Sequence, residues 1–552
     1  SYVRRFDMLD KIKPGGIFVL NSPWTPDRMP EKLPADMRKA ITEKKLRFYN
    51  IDADRIAAVC GLSPRINMVM ETVFLYLSGL IPFDEGVAAL KERLSETYRH
   101  EGGDVVSRNI KAVDMTIAAL KEINVSEISG WSDPEAPARP EPAFADSALE
   151  TFIRTIHTPC IKGRGDLIPV SAFSPDGKMP MGTTACEHRR IATRVPVWDA
   201  DKCVECTECS LVCPHAAIRP FILSAEEAAK APEGFALKDA TGAQQLKGYK
   251  FHIQNFPEDC LGCSSCSIIC PGHALTMTPL EDVVDREAPL AMWAMANVTL
   301  KDRLLPAETV NGSQLRQPCL QFSGACAGCG ETPYVKLLTQ LFGQRMLIAN
   351  ATGCSSIWGA NYPSNAYCTD PQGKGPAWGN SLFEDNGEYG YGMLVALEHR
   401  RKRVAMQVRE LIDSPDTLPY LKQPLEAWYS AKDDPDLSSA TGGQLRAMLE
   451  PVRDLSPAYA ALLEEADLFG RKTVWAIGGD GWAYDIGFAG LDHVLASGEP
   501  VKVLVMDTEC YSNTGGQTSK ATPRSAVAKY NPDGKRVAKK ELGRMMMTYG
   551  NV

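Results

Sequence analysis

Hydrophobic and polar residues alternate over the first 125 positions in a pattern that predicts short buried strands separated by amphipathic helices. Segments 17–20 and 46–51 predict strands, and apolar residues recur at helical spacing over 33–43, 54–59, 68–80 and 84–98. This alternation is typical of an α/β layer domain. Ligands of open α/β sheets bind beyond the strand ends, so Asn21-Ser22-Pro23-Trp24 is either a ligand-binding loop or a structural turn.

The pattern changes after residue 130. Four prolines between positions 131 and 142 predict an extended linker, and turn residues without periodicity predict an irregular connecting segment over 143–198. A second α/β pattern begins near residue 300, where 331–342 predicts a helix and the apolar runs 346–349, 473–477 and 501–506 predict buried strands. Residues 414–456 are predicted to be a helical insertion.

Length and composition indicate a globular protein of several domains. The chain has 552 residues, a 44% apolar fraction and a 23% charged fraction. Its net charge of -8 does not indicate a nucleic-acid partner, and no apolar run reaches the ~20 residues of a membrane span. Because the chain starts at Ser1 without a Met and stops at Val552, we expect both ends to be cuts through a longer polypeptide.

A cysteine motif with the spacing Cys-x-x-Cys-x-x-Cys-x-x-x-Cys-Pro occurs twice. This run binds two [4Fe–4S] clusters in bacterial-type ferredoxins, where the fourth cysteine of each run serves the other cluster. It predicts two crossed ligand sets. The Cys203 set consists of Cys203, Cys206, Cys209 and Cys270, and the Cys213 set consists of Cys213, Cys260, Cys263 and Cys266. The alternative is zinc, whose four-thiolate sites usually consist of two separated CxxC pairs. The many thiolates suit a reducing compartment.

The residues that flank this motif are not expected to bind metal themselves. His215 and His273 follow the two Cys-Pro steps, and each is expected to lie behind the ligands or on the surface rather than to act as a ligand. Residues 223–249 separate the two halves as an insertion that starts as a helix, and we expect it to dock the motif against a host enzyme.

The run His399-Arg400-Arg401-Lys402-Arg403 is either a solvated helix face or a docking patch for an acidic electron carrier.

A third cysteine group follows near residue 323. The Gly-rich segment 323–331 holds Cys326 and Cys329, and the strand at 346–349 leads to Cys354. A third cluster, a zinc site and unliganded thiols are all compatible with three cysteines. A [4Fe–4S] cluster normally takes four thiolates, and the thiols that could supply the fourth are Cys319, Cys368 and Cys510. Cys160 and Cys186 lack ligand spacing and are expected to be free or buried.

Two loops near the end of the chain have the spacing of a thiamine-diphosphate site. The strand at 473–477 ends in Gly478-Gly479-Asp480-Gly481, and the strand at 501–506 leads to Thr508. Strand ends of one sheet open into the same crevice, so Asp480, Thr508 and a nearby backbone carbonyl could bind Mg²⁺ together with the diphosphate. The glycines allow backbone N–H groups to approach the diphosphate.

Residues 203–271, 323–358 and 478–520 together resemble the single-chain pyruvate:ferredoxin oxidoreductases. The resemblance extends over nearly the whole chain and includes FVLNSPW at 18–24, KLRFYNID at 45–52 and GNSLFED at 379–385. It implies an α/β multidomain fold. The implied parts are a CoA-binding-like α/β domain at 1–130, truncated at its N-terminus, a linker and irregular connector at 131–198, a 2[4Fe–4S] ferredoxin-like domain at 199–298 and an α/β thiamine-diphosphate domain at 299–552, truncated at its C-terminus.

The resemblance also implies roles for individual residues. Cys326, Cys329 and Cys354 match three ligands of a proximal cluster, whose fourth ligand is expected beyond Val552. Asp480, Thr508 and the carbonyl of Cys510 match Mg²⁺ ligands. Asn21 and Asn67 match CoA contacts. The positions that match thiamine-diphosphate contacts are Glu331, Cys354, Gly479, Asp480, Gly481, Trp482, Thr508, Glu509, Cys510, Tyr511, Ser512 and Asn513.

The implied activity is oxidative decarboxylation of pyruvate with CoA to acetyl-CoA and CO2. Electrons would pass through three [4Fe–4S] clusters to ferredoxin or flavodoxin, in a cytoplasmic homodimer or, in a eukaryote, in an anaerobic organelle. The Glu that activates thiamine and the Arg that binds substrate are expected on a domain absent from this chain, so the chain alone is expected to be inactive. Alternatives are another 2-oxoacid:ferredoxin oxidoreductase, a pyruvate:NADP oxidoreductase, or an electron-transfer module without catalysis.

Overall fold

The computed structural model describes residues 2–63, 65–99, 102–134, 147–550 and 552. These residues form two compact units that divide between Ala172 and Phe173. Most of the proline-rich linker predicted at 131–142 lies outside the described residues. Within the described ranges, no helix combines the length and the apolar character needed to cross a membrane.

The first unit contains a three-stranded sheet in the order β1–β2–β3, with β1 parallel to β2 and β2 antiparallel to β3. Phe18 and Phe48 stack across the β1–β2 pair in a core that Trp131 also joins. The elements of this unit are α1 Tyr2–Arg5, β1 Ile17–Asn21, α2 Met29–Lys32, α3 Ala35–Glu43, β2 Arg47–Ile51, α4 Ala53–Val59, α5 Asn67–Ser78, α6 Phe83–Thr97, α7 Gly103–Ala119, β3 Lys121–Glu122, α8 Ser147–Phe152 and α9 Thr158–Ile161.

The strands and helices predicted before residue 100 are confirmed, with ends that shift by one or two residues. Helix α7 was not predicted. The face that it buries includes Asn109 and Thr116. Their side chains donate hydrogen bonds to the carbonyls of Val105 and Ala112 in the preceding turn, so neither is left without a partner. Because these polar residues interrupt the apolar stripe, periodicity alone does not reveal the helix.

The second unit carries the two halves of the cysteine motif and the second α/β pattern. Its elements are β4 Arg194–Trp198, α10 Glu208–Leu211, β5 Ile218–Leu223, α11 Ala225–Ala229, β6 Lys238–Asp239, β7 Lys250–Asn255, α12 Ser265–Ile269, β8 Leu275–Pro279, α13 Leu280–Asn297, α14 Val310–Gln314, α15 Thr332–Phe342, β9 Met346–Ala351, α16 Cys354–Gly359, β10 Ala360–Asn361, β11 Ser364–Asn365, β12 Ala377–Ser381, α17 Asn386–Asp413, α18 Pro419–Ala431, α19 Pro435–Leu449, α20 Pro457–Glu464, β13 Thr473–Gly478, α21 Phe488–Ala496, β14 Lys502–Val505 and α22 Leu542–Met546.

The cysteine motif is framed by antiparallel strands. β4 pairs with β8 along its full length, and β5 pairs with β7, which also pairs with β6 of the insertion. The irregular segment predicted over 143–198 therefore needs correction, because it ends in β4 and starts with the helices α8 and α9. The helical start of the insertion is confirmed, since Ser224 and Glu227 form a capping box at α11.

The remaining strands form a four-stranded parallel sheet in the order β12–β9–β13–β14. The chain leaves β9 for β12 on one side and leaves β13 for β14 on the other. The strand order thus reverses between β9 and β13, which is the position where open α/β sheets bind ligands beyond the carboxyl ends of the strands. Helix α17 packs on these two central strands at Gly390, where an added Cβ would lie 3.3 Å from the Ala349 side chain.

The predicted helical insertion at 414–456 is confirmed as α18, α19 and the 3-10 turn that follows. The basic run on α17 fits neither a fully solvated face nor a free cationic patch. Arg400 and Arg403 both pair with Glu465, while Arg401 is buried. The Arg401 guanidinium donates to the carbonyls of Lys432, Leu468 and Gly470, so it ties α17 to the segments that follow α18 and α20.

Replacing Arg401 with Met is expected to lower the free energy of unfolding by about 3 kcal/mol, because three buried carbonyls lose their donor. Arg400→Met is the matched control and is expected to cost less than about 1 kcal/mol, since its ion pair is half exposed. Urea unfolding followed by tryptophan fluorescence measures both. Equal losses in the two variants would contradict a structural role for Arg401.

Candidate functional site

The two halves of the cysteine motif fold in the same way. In each, a loop with two cysteines leads into a short helix, α10 or α12, that carries the third, and the fourth cysteine precedes a strand, β5 or β8. Left-handed backbone at Thr207 and Ser264 starts the two helices. In both halves backbone N–H groups donate to cysteine sulfur, from Glu205 to Cys203, Ala217 to Cys213, Gly262 to Cys260 and Ala274 to Cys270, over 3.3–3.5 Å. Such N–H···S contacts stabilise thiolates.

The thiols gather in two crossed sets. Burial raises the pKa of the Cys209 thiol, and the neighbouring thiolates that raise it further are Cys203, Cys206 and Cys270. Burial also raises the pKa of Cys266, and the charges of Cys213, Cys260 and Cys263 from its own set, and of Cys209 from the other set, raise it further. The structure therefore brings together the same two sets that the motif predicts, each combining three cysteines of one half with the fourth of the other. Among the described residues, no group of three or more His, Cys, Asp or Glu side chains is close enough to bind one metal ion directly.

The third cysteine group is assembled from the loop before α15 and the first residue of α16. Burial, together with the charges of Glu331, Cys329 and Cys326, raises the pKa of Cys354 to about 12. Cys510 is also a charged neighbour of Cys354. The other two thiols considered as a fourth ligand lie elsewhere, buried side by side, where the Cys368 amide donates to the Cys319 carbonyl over 3.0 Å.

The third group packs directly on the ferredoxin-like motif. A Cβ added to Gly328, between Cys326 and Cys329, would lie 3.7 Å from the Cys263 side chain. Cys263 belongs to the set that includes Cys213, so this set borders the third group. Cys266 of the same set has Cys209 of the Cys203 set among its charged neighbours, so the Cys213 set borders both other groups.

His215 links the motif to the third group, a role that sequence reasoning missed. The residue is buried, and its two ring nitrogens lie 3.2 Å from the carbonyl oxygens of Ser323 and Cys326. Burial lowers the pKa of the His215 imidazole to about 4. His273, in contrast, is exposed, as expected for a surface residue. The position of His215 directly after Cys213-Pro214 was the available signal, but its partner lies over 100 positions away.

The oxygen atoms predicted to bind Mg²⁺ lie together beyond β13 and β14. Asp480 is buried, and its carboxylate accepts from the Thr508 amide over 3.1 Å and from the Ser519 hydroxyl over 2.8 Å. The Thr508 hydroxyl donates to the Cys510 carbonyl over 3.0 Å. Burial raises the pKa of Asp480 to about 6, which is the environment of a carboxylate that gains from a bound cation. These residues fit a Mg²⁺–diphosphate site.

Further predicted thiamine contacts surround this point. Glu331 precedes α15, burial raises the pKa of its carboxyl group, and Trp358 donates to it over 2.9 Å. Trp482 is buried on the π-helical turn Gly481–Asp485, and its indole N–H has no hydrogen-bond partner among the residues that the structure describes. The remaining positions line the same loops: Gly479 and Gly481 follow β13, and Glu509, Tyr511, Ser512 and Asn513 follow Thr508.

The two predicted CoA contacts lie in the first unit. Asn21 ends β1, and its side chain is already engaged, because it donates to Asp54 and accepts from the Ala53 amide, each over 2.9 Å. Asn67 is exposed at the start of α5. Asn21 therefore connects the strand end to the start of α4, so its amide supports the loop geometry whether or not CoA binds.

Models of known protein families match successive segments of the chain, which include the cysteine motif and the loops around Asp480 and Thr508. A model described as "Pyruvate ferredoxin/flavodoxin oxidoreductase" matches residues 1–119, and one described as "Domain of unknown function" matches 138–192. The "4Fe-4S dicluster domain" matches 195–275, and the "Thiamine pyrophosphate enzyme, C-terminal TPP binding domain" matches 453–551. Together with the site, these matches define the class as an iron–sulfur protein with a thiamine-binding domain.

Curated proteins that are similar over the whole chain are oxidoreductases whose names specify pyruvate. A pyruvate:ferredoxin oxidoreductase of Moorella thermoacetica is 48% identical over all of this chain, which covers 47% of that protein. A pyruvate-flavodoxin oxidoreductase of Klebsiella pneumoniae is 44% identical over the whole chain and 46% of its own length. The mitochondrial pyruvate dehydrogenase [NADP(+)] of Euglena gracilis is 44% identical, with 30% of its length covered.

The chain is thus similar over its whole length to pyruvate:ferredoxin and pyruvate-flavodoxin oxidoreductases, and the resemblance seen in the sequence is confirmed. It spans about half the length of the bacterial relatives that it matches.

Replacing Cys213 with Ser is expected to alter the cluster of the Cys213 set and to leave that of the Cys203 set intact, because the fourth cysteine of each half belongs to the set of the other half. Cys270→Ser is expected to have the opposite effect. EPR spectra of the reduced, reconstituted protein distinguish the two clusters. Cys319→Ser, which removes a buried thiol outside both sets, is the control. Loss of the Cys203-set signal in Cys213→Ser would refute the crossed assignment.

Replacing Asp480 with Asn is expected to weaken Mg²⁺-dependent binding of thiamine diphosphate by about 100-fold or more, since losing even an outer partner of a metal ligand costs ~10–100-fold. Calorimetric titration measures the affinity. Asp485→Asn is the matched control, because that carboxylate is engaged by Lys520 instead. Unchanged affinity in Asp480→Asn would exclude Asp480 as a Mg²⁺ ligand.

Proposed function

We propose that this chain supplies the electron-transfer and thiamine-binding parts of an enzyme that oxidatively decarboxylates pyruvate with CoA to acetyl-CoA and CO2, passing electrons to ferredoxin or flavodoxin. The proposal includes three [4Fe–4S] clusters, thiamine diphosphate and Mg²⁺ as cofactors, and CoA as co-substrate. The names of the relatives support the reaction, and the contacts of the Cys213 set with both other cysteine groups support the electron path.

The observation that carries the proposal is the meeting of two loops at the strand-order reversal. The loop after β9 supplies Cys354, and the loop after β13 supplies Asp480, so the third cysteine group borders the crevice proposed for thiamine diphosphate. The same group contacts Cys263 through Gly328. Electrons released in the crevice would therefore reach the third group first, then the Cys213 set and finally the Cys203 set.

Each group of residues has a defined task in this proposal. Bound thiamine diphosphate supplies the electron sink that allows a 2-oxo acid to lose CO2, and the clusters take up single electrons. Asp480, Thr508 and the Cys510 carbonyl would hold the metal that neutralises the diphosphate. Trp482, which is buried close to Asp480 along the chain, would limit the access of water to that metal. Glu331, with its raised pKa, lies beside Cys354.

The remaining assignments concern partners. Asn21 and Asn67 are proposed to contact CoA in the first unit, and the whole protein is proposed to be a homodimer in the cytoplasm or, in a eukaryote, in an anaerobic organelle. A pyruvate:NADP oxidoreductase is the second candidate, because relatives named pyruvate dehydrogenase [NADP(+)] are 41–44% identical over the whole chain. Another 2-oxoacid:ferredoxin oxidoreductase, or an electron-transfer module without catalysis, would share most of the cluster residues.

Cluster and thiamine counts separate the enzyme from a simple electron-transfer module. In the full-length protein after anaerobic reconstitution, iron analysis, EPR and titration with thiamine diphosphate plus Mg²⁺ are expected to give thiamine binding and a third cluster signal that Cys326→Ser removes. Two clusters without thiamine binding would refute the enzymatic proposal. In the protein purified from its natural source, CoA-dependent reduction of methyl viologen with pyruvate, compared with 2-oxoglutarate, tests the substrate, and reduction of NADP⁺ tests the second candidate.

A further inference from the structure

Lys336 is a buried cation on α15 whose partners lie in the ferredoxin-like motif. Its side chain is 1% exposed. The ammonium donates to the carbonyls of Ser210, Leu211 and Cys213, the last two over 3.1 and 3.2 Å. The first two carbonyls belong to the C-terminal end of α10, where a positive charge is favourable. All three donor hydrogens of the ammonium thus have acceptors, but none of these acceptors carries a charge.

The charges that act on Lys336 are those of cysteine thiolates and one further cation. Cys213 and Cys209 are its negatively charged neighbours, and Arg219 is the positive one. Among the described residues, no Asp or Glu carboxylate forms an ion pair with it. A buried charge without a counter-ion is costly, and Lys336 gains one only when Cys213 and Cys209 hold their clusters.

Cys213 and Cys209 belong to different cluster sets, so one ammonium lies beside both. Reduction makes a cluster more negative by one charge, and net charge in its surroundings is one determinant of its potential. A fixed positive charge in a buried, poorly screened position stabilises the reduced state. The ammonium donates directly to the carbonyl of Cys213, whereas its contact with the Cys203 set runs through Ser210, the residue after Cys209. The Cys213 set is also the one that contacts the third cysteine group.

We propose that Lys336 is a positioning and tuning residue that raises the reduction potentials of both ferredoxin-type clusters, that of the Cys213 set more than that of the Cys203 set. Its effect favours electron flow from the third group into the Cys213 set. The helix that carries it starts directly after the Cys326–Cys329 loop, so the thiamine-binding part of the chain contributes the charge. This inference rests on the proposed cluster assignment.

The test is an EPR-monitored redox titration of the reconstituted full chain with Lys336→Met. Both ferredoxin-type potentials are expected to shift to more negative values, the Cys213 set further, with the third cluster little changed. Signals are assigned with the Cys213→Ser and Cys270→Ser variants. Lys336→Arg keeps the positive charge and is expected to bring the potentials most of the way back to those of the parent protein. If the side chain at position 336 only filled space, the Met and Arg variants would not differ in this way.

Lys44 provides a matched control. Its ammonium also donates to three carbonyls, those of Leu9, Asp10 and Ile12 over 2.6–3.1 Å, in the unit without the cluster motifs. Lys44→Met removes the same kind of contact and is expected to leave all potentials unchanged. Equal shifts in the two Met variants, or unchanged potentials in Lys336→Met, would overturn the proposal.

A second neutral variant covers a failure to fold. Lys336→Gln keeps an N–H donor for the carbonyls of α10, and it is expected to show the same order of shifts as Lys336→Met. Intact clusters with parental potentials in Lys336→Gln would show that the lysine acts through hydrogen bonding alone and would overturn the proposal. Absence of the third cluster or of thiamine binding would instead refute the proposed function, and the potentials of the two remaining clusters would still decide the role of Lys336.

Discussion

The reversal of strand order between β9 and β13 is the constraint on which the chemistry of the second unit depends. The two strands are hydrogen-bonded neighbours, yet their connections leave in opposite directions, so the chain does not cross their carboxyl ends there. Asn386 reinforces this position by donating to the carbonyls of Ala349 and Ile477, one from each strand, over 3.2 and 3.3 Å. The loops carrying Cys354 and Asp480 are thereby held at one fixed separation.

Buried polar contacts then join this sheet to the cysteine motif. His215 reaches the third cysteine loop from the motif, and Lys336 reaches the motif from the helix that follows that loop. Both side chains bind backbone carbonyls, which cannot move without deforming the chain. Displacing either one would leave buried polar groups unsatisfied, at a cost of about 1–3 kcal/mol for each group. The spacing between the cysteine groups is therefore maintained by the backbone.

Local patterns could be predicted from the sequence, and distant partnerships could not. Cysteine spacing was sufficient for the crossed sets that the structure brings together, because a few residues with left-handed backbone determine each loop. Apolar runs likewise predicted the strands that lead to Asp480 and Thr508. Lys336, however, lies in a helix where a lysine is normally solvated, and Arg401 lies in a run of basic residues that suggested an exposed surface. Burial of these cations depends on carbonyls far away along the chain.

The exchange of the fourth cysteine between halves has a consequence for assembly. Each cluster would join thiolates on both sides of the insertion, three from one side and one from the other, so iron would act as a cross-link that closes a long loop of chain. Neither half could complete its cubane alone, and the binding energy of the metal becomes folding energy for the pair. Scarcity of iron would then loosen the whole ferredoxin-like fold rather than leave a folded protein waiting for its cofactor.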